Sequence, residues 1–111
     1  MIMETRAGIP VDSMLVRNYF EKLVNKFYKI LPLKESNESS LRKYLQSLSA
    51  ELLGFKSLLV KIDYDSQFMT LLCVLQYITN TPDCTVGDVK REVFKAISVC
   101  NKLADKYGAK E

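Results

Sequence analysis

Histidine is absent from this 111-residue chain, and with it goes the side chain that most often moves protons in an active site. Cysteine is scarce. Cys73, Cys84 and Cys100 form no CxxC pair, and with no histidine to join them they do not make up a zinc ligand set. No metal is expected. Unpaired thiols point to a reducing compartment, the cytoplasm. The four glycines, Gly8, Gly54, Gly87 and Gly108, stand alone, so phosphate loops of the Walker and dinucleotide types are excluded and no cofactor is expected. Carboxylates are scattered, and the close pair Asp63 and Asp65 reads as helix caps rather than an acid–base couple. Cys73 and Cys100 fall on apolar helix faces and read as core thiols. A non-enzyme is expected.

Long apolar runs and strong charge are missing as well. The longest stretch without a charged residue, Ser66 to Pro82, is interrupted by Gln67, Thr70, Gln76 and Asn80, which fits a buried core helix and not a membrane span. The opening MIMETRAGIP carries no apolar segment of the secretory-leader kind. The net charge of +3 permits an anionic partner without demanding one. A hydrophobic share of 48% at this length suits one domain with one core.

What the chain does have is regular apolar spacing. Leu41, Leu45, Leu48, Leu52, Phe55, Leu59 and Ile62 alternate by four and three, which draws one seam along a long helix. Val16, Phe20, Leu23, Phe27 and Ile30 do the same, as do Val89, Val93, Ala96, Cys100, Leu103 and Tyr107. The predicted helices span 13–31, 38–62, 66–79 and 86–107. Asp12 or Ser13 caps the first, which stops before Pro32, and the linker LPLKESNES is read as polar and turn-rich. Ser36 or Asn37 caps the second, and Asp63 or Asp65 the third. Thr85-Val86-Gly87-Asp88 is a capping box, with Cys84 and Val89 placed as its hydrophobic staple. The third helix is apolar nearly all round and is expected to be covered by its neighbours. Together these describe an all-α, four-helix antiparallel bundle over 13–108, with a flexible N-terminal arm at 1–12 and a tail at 109–111.

Two surface features carry functional expectations. Ser47, Ala50, Gly54 and Ser57 form a strip of small residues off the long seam, flanked by Leu53 and Val60. Small residues admit a close helix, and glycine in mid-helix is otherwise unfavourable. Either the strip packs against a second helix of the same chain, or it meets a symmetry mate in a two-fold homodimer. Separately, Lys22, Lys26 and Lys29 align on the first helix, and Arg91, Lys95 and Lys102 on the fourth, with Lys34, Arg42 and Lys43 near the start of the second. Such stripes neutralise phosphates in nucleic-acid binders, although Glu21, Glu92 and Asp105 interrupt them. Among the tyrosines, Tyr28 projects away from its seam beside Lys29 and is the aromatic best placed for contact.

The segments KFYKILPLKES and VKREVFKAISVCNKLADKYG resemble those of small helical proteins from Firmicutes genomes and their prophages. The resemblance spans most of the chain and implies a bacterial cytoplasm and a mobile-element setting. That group carries no assigned activity or functional residues. The reading from sequence is therefore a non-enzymatic helical protein acting through protein–protein contacts, as a homo-oligomer or adaptor. The alternative is a small nucleic-acid-associated protein using the lysine stripes.

Overall fold

The apolar seams are the lines along which the helices meet. The computed structural model of the chain describes residues 2–4, 10–36, 38–58 and 65–107. Five helices are found there: α1 (Ser13–Tyr28), α2 (Ile30–Ser36), α3 (Glu38–Leu58), α4 (Ser66–Asn80) and α5 (Val86–Tyr107). Val16, Phe20, Leu23, Phe27 and Ile30 are all buried, as are Leu41, Leu45, Leu48 and Leu52, and the whole α5 seam from Val89 to Tyr107. Phe55 packs half-buried against the same core. Leu59 and Ile62 lie outside the described residues, as do Asp63, Gly108 and the tail.

Side-chain contacts fix the directions. Arg17 of α1 pairs with Asp105 of α5 at 3.2 Å, while Tyr28 meets Phe94 edge-on with centroids 6.1 Å apart. Tyr19 stacks on Phe55 at 4.0 Å, and Tyr44 donates to the Lys26 carbonyl at 2.8 Å. Phe55 approaches Phe68 at 6.0 Å, and Asp65 is bonded to Lys106 at 2.7 Å. Each of these four helix pairs is therefore antiparallel. The longer helices form an up-down-up-down bundle in the order α1, α3, α4, α5, with α5 closing against α1. Extensive backbone proximity joins α1 to α5. The α1–α3 seam is bridged instead by large rings: Tyr19, Phe20 and Phe55, with Phe68 beyond them.

Several expectations need correction. The arm is not wholly irregular: β1 (Ile2–Glu4) pairs antiparallel with β2 (Pro10–Asp12), Met3 opposite Val11. The linker after α1 is the helix α2. Pro32 ends nothing there, because it sits in the first turn, where its missing N–H breaks no helical bond. Ile30 and Lys34 turn inward while Leu31 and Leu33 pack half-buried, and that burial outweighs the turn-forming character of the segment. Nor is α4 covered all round. Met69, Cys73 and Tyr77 are exposed along one face, so Cys73 is a surface thiol and not a core one. α4 has α3 and α5 as neighbours, and its third side faces solvent.

Both caps on this side of the bundle form. The Thr85 Oγ1 accepts from the Asp88 N–H at 3.1 Å, and Asp88 Oδ2 accepts from the Thr85 N–H at 3.2 Å. Cys84 and Val89 are both buried at the staple positions. Thr85→Ala is expected to lower stability by about 1 kcal/mol, read as a small drop in the thermal midpoint with α-helical circular dichroism retained. Asp65 caps α4, accepting from the N–H groups of Gln67 at 2.8 Å and Phe68 at 3.1 Å.

Candidate functional site

The α3 seam faces the core, so residues half a turn away face outward. Ser47, Ala50, Leu53, Gly54 and Ser57 are all exposed, with Leu53 at 54%. Among the described residues, and apart from its chain neighbours and the backbone of its own helix turn, no heavy atom lies within 4 Å of the position a Gly54 side chain would take. No described helix of the chain covers the strip, which removes the intrachain-packing reading for these residues. Val60 lies outside the described residues. The Ser57 hydroxyl donates to the Leu53 carbonyl at 2.8 Å, so it is satisfied within its own helix. An apposed surface would not strand it without a partner.

Beside the strip, on the flank toward α1, a polar cluster links the two helices. Glu51 accepts from the Tyr19 hydroxyl at 3.0 Å and from the Lys26 ammonium at 2.6 Å. Tyr44 completes the link through the Lys26 carbonyl. Burial, and then the adjacent Glu51 carboxylate, push the Tyr19 hydroxyl well above its ordinary range, and Tyr44 is raised by the same two causes. These groups hold α3 against α1. No local pattern in the sequence reveals the cluster, because its bonded pairs lie 18 to 32 residues apart.

The basic stripes are exposed in part and do not merge. Lys22 on α1 and Lys29 just past its end are exposed, as are Lys95 and Lys102 on α5. Lys26 is held by Glu51, while Arg91 lies 3.6 Å from Asp88 and 3.9 Å from Glu92. Lys26 reaches from α1 toward α3, whereas α1 meets α5 through Arg17 and Tyr28. The α1 stripe therefore sits on the α3 side of its helix, away from the line where α1 and α5 join. Along that line an exposed aromatic pair stands out: Tyr28 and Phe94, each 44% exposed, with the Lys90 ammonium 5.8 Å from the Phe94 ring centre. Tyr28 was legible as an outward aromatic. Phe94 was missed, although its position off the α5 seam carries the same signal.

Cys100 is buried, and that burial alone pushes its thiol up to about 12, so it stays protonated and unreactive at neutral pH. Among the described residues no group of three or more carboxylate or thiol side chains is placed to hold a metal ion. No described helix is long and apolar enough to cross a membrane. No family model, curated protein or solved structure matches the chain.

Proposed function

We propose that this protein is a non-enzymatic helical module that self-associates through the outer face of α3. The observation that carries the reading is Gly54. It sits in mid-helix at a cost of about 1 kcal/mol relative to alanine, and among the described residues it has open space above it. A second copy of the helix uses that space: across a two-fold axis the strips of Ala50, Gly54 and Ser57 approach closely, while Leu53 supplies apolar area on each side. The free thiols, with Cys73 at the surface, suit a reducing cytoplasm.

Light scattering on the size-exclusion peak tests it. The protein is expected to run as a dimer, and Leu53→Glu and Gly54→Leu are each expected to shift it to monomer without loss of helical signal. A monomeric wild type, or a dimer indifferent to both substitutions, rejects this interface. The exposed lysines of α1 and α5, with Lys90 against the exposed Phe94 ring, favour a second reading, contact with nucleic acid. Because the chain has no tryptophan, co-purifying nucleic acid is conspicuous in the absorbance ratio of the same peak. A clean ratio, with no retardation of DNA or RNA fragments at low salt, rejects that reading.

A further inference from the structure

A cleft of about 640 Å³ opens between α2, the first two turns of α3 and the end of α4. One wall is the α3 face made by Ser39, Arg42, Lys43 and Gln46, whose i, i+3, i+4, i+7 spacing places them on one side of the helix. The opposite side carries Thr79 and Pro82. Deeper in, Leu41, Leu45 and Ile78 contribute apolar edges, although each is almost wholly buried. Lys34 reaches in from α2. It is only 9% exposed, and its ammonium donates to the Pro82 carbonyl at 3.1 Å.

Three of the lining side chains are cations, and none of the described lining residues is acidic. Glu35 and Asp83 adjoin lining positions in sequence without belonging to the described lining. The cations differ in kind. Lys34 is held in place by the Pro82 carbonyl, so its position needs little further ordering. Arg42 and Lys43 are exposed at the rim. On a helix, side chains lean toward the N-terminus, which brings both toward the positive end of α3. Arg42 offers a planar fork suited to two oxygens of one group, and lysines add point charges.

We propose that this cleft binds a small organic phosphate, a phosphomonoester bearing a compact apolar or ring body. A monoester carries close to two negative charges at neutral pH and three acceptor oxygens, which matches several converging cations better than a single carboxylate does. The cleft volume lies within the range of small-molecule sites and is far more than an inorganic anion fills. The apolar edges of Leu41, Leu45 and Ile78 meet the organic part, while Ser39, Gln46 and Thr79 offer hydrogen bonds. The cleft wall lies on the same side of α3 as the Gly54 strip and N-terminal to it, Gln46 preceding Ala50 by one turn, and the proposal does not rest on self-association.

Titration of the full chain with phenyl phosphate, followed by backbone amide NMR shifts, tests the assignment. Saturable shifts are expected at Leu41, Leu45, Ile78 and Thr79, with weaker binding of inorganic phosphate and none of phenol. Arg42→Gln and Lys43→Gln lie on exposed positions, so their thermal midpoints are expected to stay at the wild-type value while affinity falls about tenfold in each. Absence of saturable binding overturns the proposal, as does affinity unchanged in both variants. Equal affinity for inorganic phosphate removes the organic body from it. Shifts confined to the lysines of α1 and α5, or binding of a short single-stranded oligonucleotide but not of the monoester, assigns the charge to nucleic acid and likewise overturns it.

Discussion

Phe20→Ala is expected to lower the folding free energy by about 4 kcal/mol, the middle of the range for deleting a buried ring. Phe20 is wholly buried and stands where three helices converge. Its ring meets Phe55 of α3 at 5.7 Å and Phe68 of α4 at 6.2 Å, both edge-on, and lies 5.8 Å from its neighbour Tyr19. The α1–α3 seam is filled by rings and not by close backbone approach, so the surrounding helices have little freedom to collapse into the space left behind. The cost therefore includes both the lost transfer energy of the ring and the cavity that remains. Phe20→Leu, which retains most of the volume, is expected to cost about 1.5 kcal/mol or less. Phe94→Ala removes an exposed ring and is expected to change stability by about 0.5 kcal/mol. Urea unfolding followed by circular dichroism reads all three as midpoint shifts at constant slope. Because self-association, where it occurs, would stabilise the folded state by mass action, the comparison needs one fixed protein concentration. If Phe20→Ala and Phe94→Ala cost the same, the bundle does not close around Phe20.

The contrast between those two rings shows what a linear pattern can convey. Phe20 sits on a four-three seam and Phe94 does not, and this alone sorts buried from exposed. The same rule placed every seam residue of α1 and α5 in the core, and the Thr85 box and staple were legible because all their members lie within a few residues of one another. Legibility fails where periodicity is weak. α4 is so uniformly apolar that its sequence does not distinguish the face of Met69, Cys73 and Tyr77 from the face of Leu71 and Leu75, and only its position beside two neighbours decides. α2 was hidden because Pro32 reads as a stop unless the helix is known to begin at Ile30. The cleft was half legible. Lys34, Arg42 and Lys43 stood out as local charge, but Thr79 and Pro82 complete it from far along the chain. For the Gly54 strip, the residues were identifiable and their exposure was not, since the opposite face of a helix meets solvent or a neighbour according to the bundle's arrangement.

Asp65 is the residue at which local and distant reasons combine, and Asp65→Ala is expected to cost about 3 kcal/mol at neutral pH. Its carboxylate caps α4 through the Gln67 and Phe68 N–H groups, and the same side chain, 1% exposed, takes bonds from the Lys106 ammonium and the Tyr107 hydroxyl. Loss of the cap accounts for about 1 kcal/mol. The larger part comes from Tyr107, which is buried and would keep a hydroxyl with no acceptor, at about 1–3 kcal/mol. Lys106 is half exposed and regains water, so it adds little. Burial by itself would raise the Asp65 carboxyl, but the bonds from Lys106, Tyr107 and the Phe68 N–H outweigh it and hold the group below its ordinary value. A carboxylate depressed on folding gives stability that is present above its unfolded value, about pH 4, and lost as pH falls through the lower folded value. The gap between wild type and Asp65→Ala should therefore be full at pH 7 and narrow in acid. At the other extreme the signs reverse. Burial and the bond to Asp65 push Tyr107 up to about 12, and the bond to Asp65 raises Lys106. Their contributions hold below about pH 10 and fade as pH climbs through the raised values. Urea unfolding at pH 3, 7 and 11 on both proteins measures this, with tyrosinate absorbance reporting Tyr107. A gap that stays constant from pH 7 down through acid would mean that the Asp65 carboxyl is not depressed on folding, by the cap or by its tie to the end of α5.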